Sequence, residues 1–435
     1  MEIKTLKASQ KTKRTAIGEI PVDWEVARLF DVIETLESGT RPKGGVNEET
    51  KGFPSFGGEN IKSDGGVIYE NVNKITHEFY NSMTKGILRN KDVLINKDGA
   101  WTGKLGIYDS RLYQHASINE HLFIIRGTPS QITQEFLYYI LLSSEGQNRL
   151  KRIITGSAQP GLNSSFKKHF LLPIPPLSEQ KKIAEILVTV DTAIENTRAV
   201  IGQTKTVKKG LMQELLTRGI PGRHKRFKKT ELGLIPDEWE VTKLQNVCLK
   251  IQDGTHFSPQ SKTGPRMYIT SKNIRMGYID LSNVSFISEN EHSEIYDRCP
   301  VKYGDILLTK DGAQAGNVAV NTIKEKFSLL SSVAMIRPNA EKVLPNYIFH
   351  FYAGDYGQDL ISNEISGQAI TRLTLNKIKK LLILVPKLPE QLAINNIFDS
   401  IDKYLSVNKN TLEKLNVIKT ALMQVLLTGE VRVKV

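Results

Sequence analysis

The turn at residues 97–104, Lys-Asp-Gly-Ala-Trp-Thr-Gly-Lys, is the stretch whose residue types most resemble a chemical motif. Glycines beside a lysine can cradle a phosphate, because backbone N–H groups and the ammonium converge on the anion. This turn has one residue too few between Gly99 and Gly103, and Leu105 stands where Ser or Thr would hold magnesium. A second turn at 310–317, Lys-Asp-Gly-Ala-Gln-Ala-Gly-Asn, keeps the glycines but ends without a lysine. The two turns therefore argue against a phosphate loop and indicate a repeated structural corner.

Other catalytic signatures are also missing from the sequence. A methyltransferase would need a motif such as Asn-Pro-Pro-Tyr, and the flanks of Pro175-Pro176 do not match it. The eight His lack metal-ligand spacing, and neither a Gly-x-Ser-x-Gly elbow nor a nuclease pattern is present. Cys248 and Cys299 are isolated, which disfavours a disulfide framework or zinc site and fits a reducing cytoplasm. We therefore expect a chain with no catalytic residues and no metal site.

The net charge of +13 predicts a polyanionic partner, because fixed positive charge attracts nucleic acid. Residues 1–16 carry five Lys/Arg and one Glu, and residues 218–230 carry six Lys/Arg and no acid. Composition alone leaves these runs open between a DNA contact and a solvated tail or linker. The 40% apolar content is ordinary for a folded chain, and no apolar run reaches the ~18 residues of a membrane span.

The chain consists of two copies of one long unit. Five stretches recur in the same order, with an offset that drifts from 215 to 211 residues. Two similar domains related by a pseudo-twofold axis are the simplest interpretation. The matched stretches are 17–26 with 232–241, 38–40 with 253–255, 91–103 with 304–316, 175–187 with 386–398, and 211–217 with 422–428.

Each copy has a globular part followed by a long helix. Short apolar runs in the globular parts predict strands, and amphipathic runs at 134–150 and 345–360 predict helices, so we expect an α+β fold. The predicted domains are a basic tail at 1–16, globular domains at 17–172 and 232–384, long helices at 173–217 and 385–429, and a basic linker at 218–231.

Both predicted helices carry a coiled-coil seam, with apolar residues in alternating steps of three and four. Antiparallel packing of the two helices would relate the two globular parts by the pseudo-twofold axis. Polar residues occupy matched seam positions, Thr197 with Asn408 and Lys208 with Lys419. They fit either simple tolerance near a helix end or control of the pairing register. The predicted seam positions are 183, 187, 190, 194, 197, 201, 204, 208, 211 and 215 in the first helix, and 394, 398, 401, 405, 408, 412, 415, 419, 422 and 426 in the second.

Three doubled motifs together resemble the specificity subunit of type I restriction-modification systems. They are the Ile-Pro-x-x-Trp-x-Val openings, the Gly-Asp-Ile-Leu type strands that end in a glycine turn, and the Pro-Pro-Leu-x-Glu-Gln entry into the first long helix, which the second copy keeps with Lys387 in place of the second proline. The resemblance covers 17–429 and rests on the order, doubling and spacing of motifs that are weak individually. It implies two target recognition domains, an antiparallel coiled coil, and a bipartite asymmetric DNA site whose spacer the coiled coil sets.

The same resemblance implies partners and cofactors. Two modification subunits would carry S-adenosylmethionine and the methyl transfer, and restriction subunits would carry ATP-driven translocation and cleavage with magnesium. The chain itself would bind no cofactor and would have no active site. Two alternatives stay open at this point: a stand-alone methyltransferase or nuclease, and a coiled-coil adaptor that does not bind DNA.

The repeat separates structural residues from candidate readers. Residues shared by both copies, such as Trp24/Trp239 and Gly99/Gly312, are expected to build the fold. Loop residues that differ, and polar residues beside them, are candidates for DNA contact, although Trp101 also fits packing and the lysines also fit solvated turns. The predicted DNA-binding residues are Thr40, Arg41, Lys43, Lys97, Trp101, Thr102, Lys104 and Gln159 in the first copy, and Thr255, His256, Lys310, Gln314, Asn317 and Arg372 in the second.

Overall fold

The computed structural model describes residues 11–43, 45, 50–154, 161–365 and 372–434. The chain forms two compact units, Met1–Arg198 with Asn410–Val435 and Ala199–Lys409. Each long helix therefore begins in one unit and ends in the other. The boundaries of the compact units fall inside the two long helices. They therefore do not test the predicted domain limits, which separate globular domains from helices, and these limits stay a prediction.

The first unit is built on a four-stranded antiparallel sheet. The elements up to the first long helix are β1 (Thr12–Thr15), β2 (Gly18–Pro21), β3 (Glu25–Arg28), α1 (Leu29–Val32), β4 (Ile33–Ser38), β5 (Gly52–Phe56), β6 (Lys74–Thr76), α2 (His77–Ser82), β7 (Val93–Asn96), β8 (Leu105–Ile107), β9 (Ser117–Ile118), β10 (Leu122–Gly127), α3 (Gln134–Leu142), α4 (Ser144–Ile153), α5 (Phe166–His169), β11 (Leu171–Ile174) and α6 (Leu177–Leu215). The sheet order is β4-β10-β7-β8, and β7 is buried along its whole length because other elements cover both of its faces.

The second unit repeats this plan. Its elements are β12 (Phe227–Thr230), β13 (Gly233–Pro236), β14 (Glu240–Lys243), β15 (Cys248–Asp253), β16 (Arg266–Ile269), β17 (Ile274–Arg275), β18 (Tyr278–Ile279), β19 (Ser285–Ile287), α7 (Glu289–Arg298), β20 (Ile306–Thr309), β21 (Val318–Val320), β22 (Ser328–Leu329), β23 (Val333–Pro338), α8 (Pro345–Ala353), α9 (Asp355–Glu364), α10 (Leu375–Lys380), β24 (Leu382–Val385) and α11 (Leu388–Leu427). The matched sheet has the order β15-β23-β20-β21.

The structure corrects the prediction of one helix at 134–150 and another at 345–360, since each is a pair of shorter helices. Ser143 has extended backbone and its hydroxyl accepts a hydrogen bond from the Gly146 N–H at 3.0 Å, which caps a new helix. A side chain at Gly146 would lie 2.1 Å from the Ile140 carbonyl oxygen, so the break requires glycine there. The apolar periodicity continues across the break and hides it.

The repeated Glu-Gln at the start of each long helix ties that helix to its recognition domain. In the first unit the buried Glu179 carboxylate accepts the Trp24 indole N–H at 3.0 Å. Gln180 accepts from the Thr133 N–H at 3.0 Å and donates to the Gln131 carbonyl at 2.8 Å. In the second unit Glu390 accepts from Trp239 at 3.1 Å, and Gln391 makes the matched loop contacts. The expectation that both tryptophans are core residues is confirmed.

The two long helices pack antiparallel within each unit. In the first unit Lys419 pairs with Asp191 at 2.7 Å, and Arg432, just beyond α11, reaches Glu179 at the start of α6. In the second unit Lys208 pairs with Asp402 and His224, just beyond α6, reaches Glu390 at 2.7 Å. Every predicted seam position is buried or half-buried, as expected for positions on a coiled-coil seam.

The matched polar seam residues behave in two different ways. Thr197 and Asn408 donate to carbonyls of their own helices, at 2.7 and 2.9 Å, and these bonds let each polar group sit on the seam. Lys208 and Lys419 instead form ion pairs with Asp402 and Asp191 on the opposite helix, at 2.5 and 2.7 Å. Only the lysines therefore support the register-control interpretation. No helix in the described part of the chain has the length and apolarity needed to span a membrane.

Candidate nucleic-acid interface

Three loops of the first copy, at residues 38–43, 97–104 and 161–163, come together in the structure. Asp98 forms an antiparallel bridge with Gly161, and the Leu162 N–H donates to the Lys97 carbonyl at 2.6 Å. The loop after β4 joins them, because the Arg41 guanidinium lies 3.6 Å from Glu120, whose neighbour His121 contacts Asp98 at 2.7 Å. Backbone hydrogen bonds and side-chain contacts together hold the three loops on one surface of the first unit.

The matched loops converge in the second unit in the same way. Asp311 bridges Arg372, and the Leu373 N–H donates to the Lys310 carbonyl at 2.8 Å. Thr255, in the loop after β15, forms a parallel β-bridge with Leu330. We call these two loop clusters the recognition faces: residues 38–43, 97–104 and 161–163 in the first unit, and residues 253–257, 310–317 and 372–374 in the second.

A turn with the same backbone lies in both recognition faces. In the first unit the Asn96 N–H donates to the Lys104 carbonyl at 2.8 Å, and the Gly103 N–H donates to the Asn96 carbonyl at 2.8 Å. The matched bonds in the second unit, from the Thr309 and Gly316 N–H groups, measure 2.8 and 2.9 Å. Both turns also begin with a glycine in the left-handed region, with φ of 77° at Gly99 and 87° at Gly312. The shared Lys-Asp-Gly-Ala motif therefore encodes one rigid corner.

The side chains that this corner presents differ between the units. In the first unit the Lys104 ammonium lies 3.3 Å from the centroid of the Trp101 ring, and Trp101 is 54% exposed. In the second unit the matched positions hold two amides, and the Asn317 side-chain amide donates to Oε1 of the Gln314 side chain at 3.4 Å and to the Ile274 backbone carbonyl at 3.1 Å. One corner thus displays a cation over an aromatic ring, and the other displays a pair of hydrogen-bonding amides.

Most of the other predicted contact residues are accessible. Arg41, Lys43, His256 and Arg372 are exposed, and Thr40, Lys97, Thr102, Lys104, Gln314 and Asn317 are half-buried. Gln159 lies outside the described residues. Some of the exposed groups pair with acidic residues of the same unit, since Arg372 lies 3.5 Å from Asp311 and His256 lies 3.6 Å from Asp253.

The structure argues against two of the predicted contacts. Lys310 and Thr255 are each 2% exposed, and the Lys310 ammonium is paired with the buried Asp253 carboxylate at 2.5 Å. In the first unit Lys97 matches Lys310, but the residue that matches Asp253 is the uncharged Ser38. The Lys97 ammonium lies 5.3 Å from the centroid of the Phe123 ring. The replacement of Ser38 by Asp253 in the second copy was the sequence signal for this difference.

The structure also adds residues that the sequence analysis missed. Phe257 is 44% exposed in the recognition face of the second unit. Gln314 lines a small cavity of about 260 Å³ together with Lys272 and Arg275, which come from the segment before β18. Neither residue type nor repeat position predicted these basic neighbours, because they come from a segment distant in sequence. Among the described residues, no group of three or more His, Cys, Asp and Glu is placed to hold a metal ion.

Comparisons with known proteins match this doubled architecture. A family model described as the type I restriction modification DNA specificity domain matches residues 21–203 and 236–417. The type I restriction enzyme MjaVIII specificity subunit of Methanocaldococcus jannaschii is 30% identical over 430 residues, 95% of this chain and 94% of that protein. The Escherichia coli EcoBI specificity subunit is 26% identical over 368 residues, 78% of this chain and 73% of that protein. The crystal structure of a type I restriction-modification S subunit from M. genitalium has a TM-score of 0.57 at 15% identity, over 93% of this chain and 96% of that one.

Proposed function

Because the chain belongs to the type I restriction-modification DNA specificity family, we propose that it reads a bipartite DNA site for a modification and restriction complex. Each recognition face reads one half of the site. The observation that carries this proposal is the rigid corner found in both units, which keeps its backbone and changes its side chains. Two faces with one backbone and different side chains suit a DNA site with two unlike halves.

The chemistry of the accessible side chains suits duplex DNA. Arg41, Lys43 and Lys97 supply positive charge beside the corner of the first unit, where phosphates would set the position of the duplex. Gln314 and Arg372 carry the amide and guanidinium groups that pair with adenine and guanine edges through two hydrogen bonds. We assign the positioning role to the lysines and arginines that flank each corner and the discriminating role to the corner side chains.

The remaining functions belong to partners in this proposal. The chain is non-catalytic and acts in the cytoplasm, and two modification subunits that carry S-adenosylmethionine dock on its helices. Restriction subunits with ATP and magnesium complete the complex. A direct test mixes S-adenosylmethionine and DNA with the purified chain, alone and with its modification subunit. Methyl transfer is expected only in the mixture that contains both proteins, and transfer by the chain alone would support a stand-alone enzyme instead.

Replacing Lys43 with Gln is expected to weaken DNA binding for every sequence and to lower the slope of log affinity against log salt by about one. The reason is that a lysine bound to a phosphate releases about one counterion. The matched control is Lys181→Gln, since Lys181 is exposed at the start of α6 and lies outside both recognition faces. Fluorescence anisotropy over a salt series provides the measurement. An unchanged slope in the Lys43 variant would remove this residue from the phosphate contacts.

Inserting one heptad into each long helix at matched positions is expected to lengthen the spacer of the DNA site by about three base pairs. Seven helical residues add ~10 Å, and each base pair adds ~3.4 Å. Insertion of a heptad keeps the seam on the same face of the helix, so the coiled coil can stay paired. Sequencing of methylated DNA gives the spacer directly, and an unchanged spacer would contradict the role of the helices as a ruler.

A further inference from the structure

Trp101 differs from the other two tryptophans of the chain in its surroundings. Trp24 and Trp239 are buried and each donates its indole N–H to a glutamate. Trp101 stands at the tip of the corner in the first recognition face and is 54% exposed. Its place on a recognition face makes this exposed ring a candidate for direct contact with the partner of that face.

The turn fixes the backbone that carries this ring. Its backbone is closed by the Thr102 N–H to the Gly99 carbonyl at 3.1 Å and by the Lys104 N–H to the Trp101 carbonyl at 3.0 Å. From the side of α4, the Gln147 amide donates to the Gly103 carbonyl at 3.2 Å. Because this backbone is already ordered, binding of the ring does not require the turn to be ordered, which favours its use as an anchor.

The charge around the ring points to nucleic acid as its partner. The Lys104 ammonium lies 3.3 Å from the ring centroid and so covers one face of the indole. Lys97 and Arg41 belong to the same recognition face. Aromatic rings stack on bases of any sequence, and a cation beside the stack can neutralise the neighbouring phosphate.

The second unit has no ring at this corner. Gln314 occupies the matched position, and the exposed aromatic residue of that recognition face, Phe257, lies on a different loop. The two faces are therefore unlike in the way they could engage a duplex. The amides suit hydrogen bonds to base edges, whereas an exposed indole suits insertion into the base stack.

Resting on the proposed function, we propose that Trp101 inserts between neighbouring base pairs in the half-site bound by the first unit. Lys104 then leaves the ring face and contacts the phosphate beside the opened step. Insertion of an apolar wedge partly unstacks a step and kinks the duplex, and pyrimidine–purine steps open most easily. The first half-site would thus be selected partly by the deformability of one step, and the second by hydrogen bonds from amides.

The test uses the full chain and duplexes that carry its recognition site, with 2-aminopurine placed in turn at each step of the first half-site. The wild-type chain is expected to raise 2-aminopurine fluorescence several-fold at one step, because that base loses its stacking partner. Trp101→Phe should keep most of this increase, and Trp101→Ala should abolish it and weaken binding by about tenfold or more. The matched control, Gln314→Ala, should leave the signal in the first half-site unchanged. Circular dichroism confirms folding of each variant.

The intrinsic fluorescence of the chain gives an independent readout. Trp101 is the one exposed tryptophan of the three, so DNA should quench the component that Trp101→Phe removes, and should protect it from acrylamide. Equal 2-aminopurine signals for the wild-type and Trp101→Ala chains would overturn the wedge, even if the alanine variant bound DNA more weakly. A wild-type chain with no preference for any DNA sequence would instead overturn the proposed function itself.

Discussion

Replacing Arg432 with Met is expected to destabilise the first unit by about 3–5 kcal/mol, because it leaves a buried carboxylate without its cation. The Arg432 guanidinium donates to both oxygens of Glu179, at 2.6 and 2.7 Å, and to both oxygens of Asp23, at 2.9 and 2.7 Å. It also lowers the pKa of Asp23 through these hydrogen bonds. Glu179 lies at the start of α6 and holds the Trp24 indole, so the loss affects the centre of the unit.

Hydrogen exchange followed by mass spectrometry measures this loss unit by unit, together with unfolding in urea. Peptides of Met1–Arg198 should lose protection, while peptides of Ala199–Lys409 should keep it, since Glu390 of the second unit is held by His224 instead. Arg432→Lys keeps the charge without the fork geometry and should cost less. The control Lys434→Met removes a nearby exposed charge. A change below about 1 kcal/mol for Arg432→Met would show that the buried carboxylate finds another partner.

The second unit is expected to lose about 3 kcal/mol of stability between pH 7 and pH 4 through His350 alone. The His350 ring is buried, and neither ring nitrogen has a hydrogen-bond partner among the described residues. Burial, reinforced by the positive charge of Lys208 and opposed by Asp402, lowers the pKa of His350 from 6.5 to about 4. Between these values the unfolded chain binds the proton and the folded chain does not. Stability from this group is therefore complete above pH 6.5 and falls as the pH decreases.

The matched residue of the first unit provides the variant for this prediction. Tyr139 stands at the position of His350, and its hydroxyl donates to Asp191 at 2.7 Å. Leu187 of the first unit matches Phe398 of the second. The double variant His350→Tyr and Phe398→Leu therefore places a tyrosine beside a leucine, as in the first unit. The double variant should unfold with less dependence on pH below 6.5, and His350→Phe serves as a control that cannot titrate. An identical acid dependence in all three chains would place the acid sensitivity elsewhere.

Several repeated features of this fold were predicted well from the sequence. The seam positions follow from a period that any coiled coil must keep, and all of them are buried or half-buried. Trp24 and Trp239, and the glycine corner at Gly99 and Gly312, followed from being present twice. A residue shared by both copies serves the fold that both copies share, and this reasoning needs no knowledge of three-dimensional contacts.

The features that the sequence analysis missed depend on specific contacts between side chains and backbone groups. The break at Ser143 depends on a cap and on close packing at Gly146, and the apolar period does not record either. Burial of Lys310 depends on Asp253, which lies 57 residues away in sequence. The pairing of Lys208 with Asp402 likewise became visible only once the helices were packed.

The central claim is that each recognition face reads its own half of a bipartite DNA site. Sequencing of methylated bases in cells that carry this chain with its modification subunit tests it most directly. One culture would carry the wild-type chain, and the other would carry the changes Trp101→Gln, Thr102→Ala and Lys104→Asn, which transfer the corner of the second unit to the first. We predict two short specific sequences separated by an unspecified spacer, with only one of the two altered in the variant. A single uninterrupted motif, or a change in both halves, would contradict the account.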